Sequence, residues 1–154
     1  MLHEIDPEIA GLWSWLIVAD PDEIMSLPLE TLKEGTDLRE LGLRKEAAEL
    51  LRRWQRVGRN DCWTVSKWGH LPGQWTRSTR KAIAKNVQRI RHWKILNSSW
   101  DDSAPVESTH FVDPPYQHLP RSVYRYAEID YPALARFCQT APGQVIVCEQ
   151  QGAD

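Results

Sequence analysis

Residues 113 to 116 read Asp-Pro-Pro-Tyr and directly follow the run Thr109-His110-Phe111-Val112. The two prolines remove two backbone donors and fix two φ angles, so neither a helix nor a central strand continues through them. The chain thus brings a strand to an aspartate and stops it with a rigid turn tipped by an aromatic ring. Those residue types suit one task. The Asp113 carboxylate and the Pro114 carbonyl are both acceptors, and Tyr116 adds a flat face. An amino-bearing aromatic base swung out of a nucleic acid would satisfy all three. In an open parallel sheet, ligands bind beyond the carboxyl ends of the strands, which is where Asp113 falls. A plain turn with a capping aspartate is the alternative. It accounts for any single Asp-Pro pair more readily than for the whole four-residue string at a strand end.

The elements that must position this turn follow from local signals. Residues 2–5 form a short strand pattern. Asp6-Pro7 and Asp20-Pro21 each place a capping aspartate before a proline in a first helical turn, opening helices over PEIAGLWSWLIV and PDEIMSL. From Asp37, apolar residues at 38, 41, 43, 47, 50, 51 and 54 predict one helix ended by Gly58. Residues 59–76, with Gly69 and Pro72-Gly73, read as a loop. Thr76 or Ser78 caps a basic helix over 77–93. Strands are expected at 94–97 and 109–112. Asp130 caps a helix over YPALARFCQTA, which Pro142-Gly143 ends, and 144–149 reads as a strand apolar on both faces, as a buried parallel strand is. Strand, helix and strand in that order make a βαβ unit, so 109–112 and 144–149 are expected to be parallel neighbours.

A net charge of −2 hides an asymmetry. Residues 1–38 carry nine acidic groups and one lysine, residues 39–94 carry fifteen basic and four acidic groups, and residues 95–154 carry three basic and eight acidic groups. A basic middle between acidic flanks suggests a polyanion partner, and Trp54, Trp63, Trp68, Trp75 and Trp93 lie in that same segment. A solvated helical face with core tryptophans is the bland alternative. Three scattered cysteines without a C-x-x-C pair, and five histidines without ligand spacing, argue against a metal site and for reduced thiols in a cytoplasmic setting. No apolar run reaches a membrane-spanning length, and the N-terminus lacks the basic start and apolar centre of a secretory signal.

Asp113-Pro114-Pro115-Tyr116 resembles the D-P-P-Y motif of DNA adenine methyltransferases, which move a methyl group from S-adenosylmethionine to the amino nitrogen of adenine. Leu2-His3-Glu4-Ile5-Asp6-Pro7-Glu8-Ile9 resembles the family's N-D-x-N-P-E-[LI] segment at the end of its second strand. The resemblance implies that Glu4 bonds the cofactor's ribose and that Ile5 packs on its adenine. Ser98-Ser99-Trp100 resembles the family's G-D-[FW] stretch, so that Trp100 would help to enclose that adenine. The order of motifs is that of the class which includes the bacterial and phage adenine methylases.

The fold implied is α/β, a partial Rossmann-like methyltransferase sheet formed by 1–36 and 94–154, interrupted at 37–93 by a basic, mainly helical recognition region. On this reading Asp113, Pro114, Pro115 and Tyr116 hold the flipped base, while Arg77, Arg80, Lys81, Lys85, Arg89 and Arg91 contact DNA phosphates. Base-reading residues are expected in 59–76. The family's F-x-G-x-G loop, which holds the methionine end of the cofactor, has no counterpart, since the eight glycines include no G-x-G. The chain is therefore expected to depend on an upstream segment or a second chain for that strand and loop, to be continued by further strands, and to be inactive alone. Two alternatives stand beside this one: a non-catalytic nucleic-acid-binding remnant of such an enzyme, and an RNA adenine methyltransferase.

Overall fold

A computed structural model describes residues 1–55, 62–66, 74–102, 106–116 and 124–149. The chain is mixed α/β and divides into two compact units, residues 1–98 and 99–154. Its elements are β1 (Leu2–His3), α1 (Pro7–Val18), α2 (Pro21–Ser26), a 3-10 turn (Leu38–Leu41), α3 (Lys45–Trp54), α4 (Arg77–Val87), a second 3-10 turn (Gln88–Ile90), β2 (Ile95–Leu96), β3 (Ser108–Val112), α5 (Tyr131–Thr140) and β4 (Gly143–Val147). Among the described residues the strands form two parallel pairs, β1 with β2 and β3 with β4. No helix among the described residues is long and apolar enough to cross a membrane.

The Asp-Pro devices open their helices as read. Asp6, Asp20 and Asp130 accept from the backbone N–H of Glu8, Asp22 and Ala133 at 2.8, 2.8 and 2.9 Å, and each is followed by proline in the first turn. Of the two caps considered for the basic helix, Thr76 accepts from Thr79 N–H at 3.2 Å. The single helix expected from 38 to 54 is instead two pieces. Gly42 adopts φ +65°, a left-handed conformation that ends the 3-10 turn, and the chain is extended at Arg44 before α3 begins. Leu38, Leu50 and Leu51 still reach one core, which is why the apolar spacing looked continuous. Gly58, Trp68, Gly69 and Pro72-Gly73 lie outside the described residues.

The first unit is held by a core drawn from both sides of the expected insertion. Leu12, Trp15 and Leu16 of α1, Ile24 and Leu27 at α2, Leu51 of α3 and Val87 of α4 belong to one buried cluster. Trp75 is 1% exposed, and its indole N–H donates to the Pro28 carbonyl at 2.8 Å, satisfying the one polar atom of a large buried ring. The helices of 37–93 are therefore not a layer separate from 1–36, and the division of the chain falls between Ser98 and Ser99. The strands β1 and β2, far apart in the chain, are nonetheless paired, Leu2 with Ile95 and His3 with Leu96.

In the second unit β3 and β4 run parallel in the register Ser108 to Gly143 through Val112 to Val147. Gly143 starts β4 at φ +97°, and a Cβ there would lie 2.2 Å from the Ser108 carbonyl oxygen, so only glycine fits this approach. His110 and Phe137 of α5 meet edge to face at 5.5 Å. Phe111 and Ile146 pair on the other face and are 67% and 42% exposed. The expectation that 144–149 is buried on both faces is thus not met. Val147 is 47% exposed as well, because apolar content alone does not tell which faces find a covering layer.

Candidate functional site

The Asp113–Tyr116 turn leaves β3 at its carboxyl end, beside the last paired residues Val112 and Val147. Cys148 N–H donates to the Val112 carbonyl at 2.8 Å and fixes the backbone just before the aspartate. Asp113 is exposed, Pro114 buried, and Pro115 and Tyr116 half-buried. Two tyrosines tie the turn to the start of α5. The Tyr131 hydroxyl donates to the Pro115 carbonyl, and Tyr116 N–H donates to the Tyr124 hydroxyl at 3.4 Å. Tyr131 is the first residue of α5, placed there by the Asp130 cap.

The Tyr116 phenol is pushed above its ordinary pKa, first by the Asp113 carboxylate, then by burial and by Cys148, with a hydrogen bond to Asp113 and the nearby Tyr124 adding to it. The phenol is therefore neutral throughout the physiological range and stands beside the Asp113 carboxylate. The turn presents an exposed carboxylate next to a planar ring. Sequence reasoning found the four residues but not their supports, Tyr124 and Tyr131. A signal was available: all four tyrosines of the chain fall between 116 and 131.

Glu4 and Ile5 belong to the first unit, just beyond β1. Glu4 is half-buried, and its Oε1 accepts from Asp6 N–H at 2.9 Å. Asn97 Nδ2 donates to the carbonyls of Glu4 and Ile5 at 2.8 and 3.2 Å, which fixes this segment from the end of β2. Ile5 is 47% exposed. A carboxylate acceptor beside an exposed apolar side chain suits the hydroxyls of a ribose and the face of its base, so these two residues fit the nucleoside half of S-adenosylmethionine. Trp100, in the second unit, lies in a turn closed by Ser99 N–H donating to Asp102 Oδ2 at 2.6 Å. Its ring meets Phe137 edge-on at 5.5 Å, a packing contact with α5. Among the described residues no group of three or more His, Cys, Asp or Glu gathers as a metal site.

The six cations expected on DNA separate into two kinds. Arg80 Nη1 donates to the Leu27 carbonyl at 2.7 Å and Arg91 Nη2 to the Ala19 carbonyl at 2.8 Å. Leu27 and Ala19 are the C-caps of α2 and α1, where a cation meets the negative end of a helix. Arg77, Lys81, Lys85 and Arg89 are exposed. Of the segment expected to read bases, the described part is 62–66 and 74–76. There Thr64 makes an antiparallel bridge to Asp37, Trp63 packs beneath Arg52 at 5.0 Å and Trp75 is buried, so these residues serve the fold. Comparison of the chain with protein-family models, with curated proteins and with solved structures finds no significant match.

Proposed function

We propose that this chain holds adenine of DNA for methyl transfer from S-adenosylmethionine to the exocyclic amino nitrogen. One observation carries the reading: the Asp113–Tyr116 string stands at the carboxyl end of a parallel strand, clamped by two tyrosine hydroxyls. Adenine's amino nitrogen is a weak nucleophile because its lone pair is delocalised into the ring. Asp113 and the Pro114 carbonyl accept its two N–H bonds and draw it out of the ring plane, which frees the lone pair. Tyr116 stacks on the extruded base. The bound cofactor supplies the methyl group on a sulfonium, already a good leaving group, so the protein's part is positioning and electrostatics. As nitrogen gains the methyl group it loses a proton, which Asp113 accepts and passes to solvent. Glu4 and Ile5 hold the nucleoside half of the cofactor.

No G-x-G occurs among the eight glycines, so the proposal assigns the methionine half to a strand and glycine loop supplied by another segment or chain. The same observation favours a second reading, a nucleic-acid-binding protein without transfer. Transfer of a tritiated methyl group to unmethylated duplex, with and without such a strand supplied in cis or as a separate chain, decides between them. The expected result is transfer to adenine only in the completed protein, abolished by Asp113→Ala with duplex affinity retained. A completed protein indifferent to Asp113→Ala returns residues 113–116 to a plain turn. Robust transfer by these 154 residues alone refutes the need for the glycine loop.

A further inference from the structure

We infer that the outer face of α4 is a phosphate contact for duplex DNA, carried by Arg77, Lys81, Lys85 and Arg89 and not by Arg80 or Arg91. The four recur at every fourth position, so they line one side of the helix and of the 3-10 turn that continues it. The flank next to it is taken up by packing. Ala84 and Val87 are buried in the core, while Arg80 and Arg91 reach back to the ends of α2 and α1. The periodic cations therefore face solvent because the core claims that flank.

The stripe's own segment carries no acidic residue. Residues 77–94 contain seven Lys and Arg and no Asp or Glu. Arg77 meets Glu30 at 3.4 Å, but both side chains are well exposed, at 70% and 67%, and a screened surface pair of this kind yields readily to a phosphate. Arg89 Nη1 donates to Asn86 Oδ1 at 3.2 Å, which limits the wandering of one long side chain. At about 1.5 Å of rise per residue the four cations span roughly 18 Å. Over that length a duplex presents about ten phosphate charges, so a straight helix laid along the backbone can neutralise four without bending either partner. A flexible loop of equal charge would lose more entropy on binding. Phosphates carry no sequence information, so this face supplies affinity and register and leaves base choice to other residues.

The inference depends on the proposed function only in naming DNA as the polyanion, and its test does not involve methyl transfer. Binding of the chain to a 20-base-pair duplex is followed by fluorescence anisotropy between about 50 and 200 mM salt, where each neutralised phosphate contributes a slope of about −0.9 to log K against log salt. Four contacts predict a slope at least as steep as about −3.6. Lys81→Ala with Lys85→Ala should make it shallower by about 1.8, with an unchanged far-ultraviolet circular dichroism spectrum because both side chains are exposed. Lys33→Ala, an exposed lysine elsewhere on the first unit, should leave the slope unaltered. The inference is overturned by a double variant whose slope matches the parent, by equal sensitivity to Lys33→Ala, or by binding confined to single-stranded RNA. A slope made shallower in the double variant upholds this interface whatever the completed protein shows in the methyl-transfer assay, where failure to transfer would sink the enzyme reading alone.

Discussion

Replacing Glu49 by alanine tests whether the charges of α3 hold the first unit together or merely face solvent. The residue is 2% exposed, and its carboxylate receives Arg52 Nε at 2.7 Å and Arg53 Nη2 at 2.8 Å. Arg52 is itself 7% exposed, sits over the Trp63 ring at 5.0 Å and has Glu8 at 3.7 Å. Its guanidinium is held above the ordinary pKa range, first by the Glu49 hydrogen bond and against the opposing effect of burial. Breaking a buried pair by removing one partner costs about 3–5 kcal/mol, because the other charge stays desolvated. Glu8 recovers part of that, and Arg53 is partly exposed and can turn to water, so the expected loss is near the lower end, about 3 kcal/mol. For a chain of this length each kcal/mol moves the melting point by about 2–4 °C, giving a fall of about 6–12 °C. Urea denaturation followed by circular dichroism measures it directly, with an unchanged slope showing that the unfolding transition is the same one. Glu49→Leu combined with Arg52→Met should return most of the stability, since apolar isosteres of a buried pair are often neutral or better. A Glu49→Ala protein within about 0.5 kcal/mol of the parent would refute the reasoning, because that is the range of surface substitutions. The arginines of α3 would then count as surface charges of the basic segment 39–94.

The remaining expectations concern the second unit. Tyr131→Phe keeps the ring but removes the donor to the Pro115 carbonyl, a loss of about 1 kcal/mol that loosens the turn. Amide exchange at Tyr116 should quicken about fivefold, and an unchanged rate would show that the turn is held by other means. Gly143→Ala forces a Cβ to within 2.2 Å of the Ser108 carbonyl oxygen at φ +97°, so it should destabilise the β3–β4 pair by more than about 1 kcal/mol. Faster exchange at the Gln144 and Ile146 amides, which the register turns toward β3, measures this, and full protection in the variant would contradict it.

What the sequence made legible was local. Asp-Pro at 6–7 and 20–21, and Asp130 with its proline two residues on, open α1, α2 and α5, because the cap and the fixed φ need nothing from the rest of the chain. The parallel pairing of 109–112 with 144–149 was also readable, since a strand–helix–strand run of this length leaves few alternatives. What escaped was decided at long range. The Trp75–Pro28, Arg80–Leu27 and Arg91–Ala19 bonds join segments 47, 53 and 72 residues apart, and they fold the basic segment into the first unit's core. Counting arginines could not separate those that cap helix ends from those that face solvent. The contact partners make that distinction: Arg80 and Arg91 are spent on carbonyls, whereas Lys81 and Lys85 are exposed. In the candidate site, the turn's residues were legible as a string, but Tyr124 and Tyr131 act from positions 8 and 16 residues away through hydroxyls that no spacing rule anticipates.

All four described strands lead, at their carboxyl ends, to a polar residue: Glu4 after β1, Asn97 after β2, Asp113 after β3 and Cys148 after β4. In each pair the later strand steadies the carboxylate-bearing end of the earlier one, Asn97 through its amide to Glu4 and Ile5, Cys148 through its backbone N–H to Val112. Positioning of this kind is what a binding carboxylate requires, since a group already held in place loses little freedom when its ligand arrives. The two carboxylates nevertheless differ in what they hold. Glu4 Oε1 is committed to Asp6 N–H at the start of α1, so giving up that bond would unsettle a helix, and a ligand is left the other oxygen. Asp113 is exposed and stands beside the neutral Tyr116 phenol on the same turn. An exposed carboxylate gives up only water for an incoming amino group, so the exchange conserves the number of bonds and costs little. On the proposed reading, the first arrangement suits a cofactor that is held, and the second suits a base that is taken up and let go at each turnover.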